Sequence, residues 1–122
     1  VSERMLTHGE QYAESRITVE LRGENSAAQI VSRSVAQDKS RQLFYPRLVG
    51  YNKSRGHVQC DSIIMQEAQI RSIPEIAAHS PEAQLIHEAA IGKIAGEQII
   101  KLMTLGLSEQ EAEDTILRGF LK

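Results

Sequence analysis

The chain has 122 residues, a formal net charge of −2, one cysteine and no tryptophan. That is one domain's worth, with a modest core, and neither the charge nor the few aromatics suits a nucleic-acid or anionic-membrane surface. No run approaches the roughly 18 consecutive apolar residues of a membrane span, the first residues lack the basic-then-apolar pattern of a signal peptide, and a lone cysteine makes no internal disulfide, which fits a reducing cytoplasm.

Taken in chain order, turn-like clusters recur: "HGEQ", "RGENS", "QDKS", "YNKSRG", "QEAQ" and "HSPE". Their centres fall roughly 14–15 residues apart, an even spacing of the kind repeat architectures show. Between them lie short runs of β character. "ITVEL" (Ile17 to Leu21) alternates apolar and polar residues like a half-buried strand. "AAQIVSRSV" has apolar residues on both faces. "RQLFYPRLVG" carries Pro46, which suits an edge, a bulge or a bend. "HVQCDSIIM", "IRSIPEIAA" and "AQLIHEAAI" complete the series. Such a series fits a sandwich, a barrel or a β-solenoid. The near-constant spacing, and the lack of Asn-Gly or Asp-Gly hairpin turns, lean towards the solenoid.

The period changes after Gly96. Ile99, Ile100, Leu102, Met103 and Leu105 form a helical apolar stripe, and Gly106 stands where a helix would end. Ser108 and Glu111 form a capping box for a second helix. Its apolar face is Ala112, Ile116, Leu117 and Phe120, and Gly119 weakens its end. The expected architecture is mainly β: a β-solenoid core over 1–94, then an α-helical hairpin over 95–122. The stripe must pack on the strands or on a partner.

Few residues offer chemistry. There is no phosphate loop and no nucleophile elbow. His8, His57 and His79 adjoin turn residues and are expected in solvent. On a regular strand Val58, Cys60 and Ser62 share an inward face, opposite His57, Gln59 and Asp61. Cys60 is then either a small buried residue or a thiolate ligand. His87 and Glu88 are adjacent and point to opposite faces unless a bulge re-aims one. Cys, His and carboxylate are suitable iron or zinc ligands. The 27 residues from Cys60 to His87 match no zinc finger but come close to two turn intervals. In a solenoid with two strands per coil, that offset stacks the two residues in adjacent coils.

The ordered set "QCDSIIM", "IPEI", "LIHEAAIGKI" and "EQIIKLMTLGLSEQEAEDTILRGF", with "RGENSAAQIVSRSVAQ" upstream, resembles the C-terminal core of the SufB/SufD family of iron–sulfur cluster assembly scaffolds. The likeness runs from about Gly9 to Phe120. It implies a right-handed β-helix followed by helices, in a cytoplasmic complex. The implied partners are a SufC-type ABC ATPase docked on the helical region, and a second β-helix in a homodimer or SufB/SufD-type heterodimer. Cluster assembly would lie near that dimer interface. Carried over residue by residue, the assembly residues are Cys60, His87 and Glu88, as ligands of a transient iron–sulfur cluster. SufD-type members read His-Gly at the pair and commonly lack the cysteine, so the chain is closer to SufB. A sulfur donor protein is a further implied partner, although the upstream sulfur-accepting cysteine of SufB-type members has no counterpart here. Relatives are longer, which leads us to expect a compact relative or an excised core. Ser62 and Ile64 would face the coil interior, with Ile63 and Met65 on an outer face covered by a partner.

The expected role is a scaffold that templates a cluster and is not itself an enzyme, since no acid–base pair or activated nucleophile stands out. The alternative is a metal-free interaction module in which Cys60 is core packing.

Overall fold

The computed structural model describes residues 1–122. Its strands are β1 (Ser2–Thr7), β2 (Tyr12–Leu21), β3 (Ser26–Ala36), β4 (Arg41–Gly50), β5 (Ser54–Ile64), β6 (Gln69–Ser72), β7 (Glu75–Ala78) and β8 (Ala83–Gly92). Two helices follow, α1 (Gly96–Thr104) and α2 (Glu109–Leu121). Every strand pairing is parallel. One sheet runs β1-β3-β5-β8 and the other β2-β4-β6, with β7 also paired to β4. The chain therefore alternates between two sheets, one strand to each per coil. This is the expected β-solenoid, of about three turns, followed by two C-terminal helices.

The register sets the repeat. Ser26 lies beside Ser54, and Ser54 beside Ala83, so one coil takes 28 to 29 residues. Each of the six turn clusters spans a break between strands, three of them running into the strand that follows. Gly9, Asp38 and Gln66 occupy equivalent places in successive coils, and all three have positive φ. Their turns are tied across coils: Asp38 Oδ2 accepts from the Gly9 amide at 2.8 Å, and Gln66 Oε1 accepts from the Asp38 amide at 3.0 Å. A left-handed conformation comes without steric cost for Gly and at moderate cost for Asp, so this column is a designed corner of the coil.

The interior is a narrow column between the sheets. Leu21, Ile30, Phe44, Leu48, Val58 and Cys60 form its apolar cluster. Towards the strand ends the column turns polar, and most of its polar groups are paired, Ser72 Oγ and His87 Nε2 being the inward exceptions. The Ser34 and Ser62 hydroxyls meet at 2.8 Å, and those of Thr7 and Ser40 at 2.9 Å. Gln42 Nε2 donates to Thr7 Oγ1 at 2.8 Å and to the Val35 carbonyl at 2.9 Å. Left unpaired, each such group would cost about 1–3 kcal/mol.

Two expectations need refinement. Pro46 is neither on an edge strand nor solvent-facing: it is fully buried on the central strand of its sheet. It is tolerated because the ladder beyond β4 is interrupted there. β6 pairs with Arg41–Phe44 and β7 with Arg47–Gly50, and Ile73–Pro74 bridge the gap. The missing proline N–H falls at that gap. The apolar residues on both faces of β3 also have a reason within the chain. Val35 faces outwards yet is fully buried, and α2 packs against β3. Leu6, Leu117 and Leu121 line one cleft at this contact, and Ile63, Ile91 and Phe120 another. The outer face at Ile63 is thus partly covered by the chain's own helix, where a partner was expected.

α2 begins as its sequence predicts, with the Ser108 hydroxyl accepting from the Glu111 amide at 3.2 Å. Ala112 and Leu117 are buried beneath it. α1 is different, because none of its residues is buried. Ile100 and Met103 on α1, with Leu105 just beyond it, remain exposed.

Candidate functional site

The site residues lie on the last two strands of one sheet, β5 and β8. Cys60 faces inwards and is 1% exposed, as the alternation of its strand requires. Glu3, Ser32, Cys60 and Ala89 are register neighbours down successive coils. Ser62 Oγ lies 3.8 Å from the Cys60 sulfur. Burial pushes the Cys60 thiol above its ordinary pKa, and the neighbouring Ser62 hydroxyl only partly opposes this. At neutral pH the resting group is therefore a thiol, and ligation has to displace its proton.

His87 stands beside Val58, two positions short of the strand neighbour of Cys60. Both residues face inwards from adjacent coils. With a strand spacing of about 4.8 Å and a rise of about 3.3 Å per residue, their Cα atoms lie about 8 Å apart. A thiolate and an imidazole, with metal bonds of about 2.3 and 2.0 Å, can share one ion across that span. His87 Nε2 is a buried atom without a hydrogen-bond partner, a nitrogen left free to act as a ligand. β8 is the last strand of its sheet, so His87 lies in the terminal coil and Cys60 one coil further in. The offset read from the sequence thus does place Cys60 and His87 in adjacent coils, shifted by two residues.

Glu88 does not join them. β8 pairs with β5 continuously from Ala83 to Gly92, with no bulge to re-aim a side chain. His87 and Glu88 consequently point to opposite faces. Glu88 is exposed on the outer face, beside Gln59 in register. Its Oε2 lies 3.5 Å from His57 Nε2. His57 is half-buried against this carboxylate, where its place next to a turn suggested solvent. The signal for it was the coil repeat itself, which brings outward residues of β5 beside those of β8. No group of three or more His, Cys, Asp or Glu side chains converges on one point within the chain. Cys60 and His87 suit iron by donor type and shared face; Glu88 and His57 form a separate pair on the other side of the sheet.

The chain matches the family described as "SUF system FeS cluster assembly, SufBD core domain" across residues 1–120. It is similar to an iron–sulfur cluster assembly SufBD family protein of Methanothermobacter thermautotrophicus, 38% identical over 109 residues, covering 88% of this chain and 26% of that protein. A SufBD family protein of Archaeoglobus fulgidus is 41% identical over 104 residues, covering 84% of this chain and 28% of the relative. One from Staphylococcus saprophyticus is 31% identical over 103 residues, covering 80% and 22%. The chain thus spans about a quarter of the length of these relatives.

Proposed function

The chain belongs to the SufBD core family of the SUF iron–sulfur cluster assembly system, and on that premise we propose that it is a scaffold segment on which a nascent cluster is held. Cys60 and His87 are the inner ligands, and Glu88 serves iron from the outer face. The observation that carries this reading is a thiol and a partnerless imidazole on one inward face of adjacent coils, the imidazole in the terminal coil. Iron and sulfide are substrates here, the cluster is cargo, and the chain itself breaks no covalent bond of its own. A thiolate and an imidazole of this kind accept ferrous iron once the Cys60 proton leaves.

The partners follow from surfaces the fold leaves open. β8 has an unpaired edge and carries exposed Ile86 and Ile91, which supports pairing with a second β-helix, from another copy or from a SufD-type chain. The uncovered stripe of Ile100 and Met103, continued at Leu105, supports docking of a SufC-type ABC ATPase, which would supply the conformational work. A sulfur donor protein would deliver sulfide to the complex. No helix is long and apolar enough to cross a membrane, and the unpaired buried cysteine supports a cytoplasmic setting.

One observation favours the metal-free alternative. Cys60 is almost fully buried and its thiol is pushed up, which is how a packing cysteine behaves. Anaerobic reconstitution with ferrous iron and sulfide separates the two readings. The scaffold reading requires a thiolate-to-iron charge-transfer band in the parent that disappears in Cys60→Ser. If no band forms in either protein, Cys60 is packing and the interaction module stands.

A further inference from the structure

His57 and Glu88 lie outside the Cys60–His87 pair, on the opposite face of the sheet. Three features of their geometry are those of a ligand pair. First, His57 Nε2 is a buried nitrogen that makes no hydrogen bond, and Glu88 Oε2 stands 3.5 Å from it, an ion pair when the ring is protonated and a vacant donor pair when it is not. Second, that separation suits a shared ion. Two donors each about 2.0–2.1 Å from one metal at a tetrahedral angle stand on the order of 3.4 Å apart. Third, the other ring nitrogen is held. Gln29 Nε2 lies 3.4 Å from His57 Nδ1, from the neighbouring strand. As placed, the amide nitrogen faces Nδ1; turned over, its oxygen would accept a proton from Nδ1 and leave the Nε2 lone pair towards Glu88. An outer residue that fixes the ring in this way is the usual support of a metal-bound histidine.

We propose that His57 and Glu88 form an outer-face site for a divalent transition cation, with ferrous iron as its physiological occupant. An imidazole and a carboxylate suit a borderline ion of this kind. The chain supplies two donors, and the remaining positions are open to water or to a donor from a paired β-helix. Such a site lies across the sheet from the inner pair and does not require the Cys60 thiol to ionise. The proposal rests on the reading that Glu88 serves iron, and it gives Glu88 a partner other than Cys60 or His87.

Cobalt(II) is the probe, titrated into the 122-residue chain with calorimetry and visible absorption as readouts. The test is made in a Cys60→Ser/His87→Ala background, which removes both inner ligands. One cobalt site without a sulfur-to-cobalt band is expected there. Adding His57→Ala or Glu88→Gln should weaken it by roughly tenfold or more. Glu88→Gln keeps the shape of the side chain, and circular dichroism confirms that each variant is folded. Absence of binding in the background, or binding indifferent to both substitutions, overturns the proposal. An iron–sulfur band missing from the parent while outer-face cobalt persists would sink the cluster reading and leave this site standing.

Discussion

Gly56 precedes the His57-to-Ser62 stretch and lies on the inner face of β5. A Cβ placed there would be 2.6 Å from Leu48 Cδ2, 3.0 Å from Leu48 Cδ1 and 3.0 Å from Leu85 Cδ2. Leu85 is half-buried in the terminal coil and can give way. Leu48 cannot, because it is fully enclosed on the central strand of the opposite sheet. Overpacking of this kind costs about 1–3 kcal/mol. The smaller unfolded-state entropy of Ala returns about 0.4–1 kcal/mol. Gly56→Ala should therefore destabilise the fold by about 1–2 kcal/mol. Urea denaturation at unchanged m-value measures this. The mechanism makes a second claim: the clash resides in the Leu48 terminal methyls. Leu48→Val draws those methyls back, so the Gly56→Ala/Leu48→Val double variant should lose less than the sum of the single losses, by about 1 kcal/mol. A neutral Gly56→Ala, or losses that add within about 0.3 kcal/mol, would refute the reasoning.

Three further outcomes are expected. The Cys60 pKa is raised by burial, so the thiol's contribution is fully present below its unfolded value of about 8.5 and is lost as pH rises through the folded value; the stability advantage of the parent over Cys60→Ala should shrink as pH rises above about 8.5 in paired thermal melts. Ser108→Ala removes the α2 cap and should cost about 1 kcal/mol, seen as faster amide exchange across Glu109–Leu121. Ile100→Glu lies on an exposed stripe and should leave stability within about 0.5 kcal/mol of the parent, while abolishing capture of a SufC-type ATPase in a pull-down; retained capture would remove α1 from the docking surface.

Much of the solenoid is legible in the sequence. Turn chemistry at Gly9, Asp38 and Gln66 is local, and local chemistry is written in local sequence. So is the change of period after Gly96, and so is the Ser108 cap. The inward face of Cys60 followed from alternation alone, because a strand offers only two directions. The opposition of His87 and Glu88 followed in the same way and needed only the absence of a bulge. The family resemblance, resting on ordered motifs from "QCDS" to "RGF", added the chemistry that spacing alone left open.

What the tertiary structure decided is register. A 28-to-29-residue repeat decides which residue of one coil lies beside which of the next, and a shift of one position exchanges the faces. That register put Ala89 beside Cys60, set His87 two places away, and brought His57 against Glu88. It also aligned the interruption at Ile73–Pro74 with Pro46, allowing a proline inside a central strand. The docking of α2 over Val35 belongs to the same level, since an apolar stripe says that a surface will be covered but not by what. The sequence determined the elements and their faces, because those depend on neighbours along the chain. Only the stacked coils decided which residues meet, because that depends on neighbours almost thirty positions away.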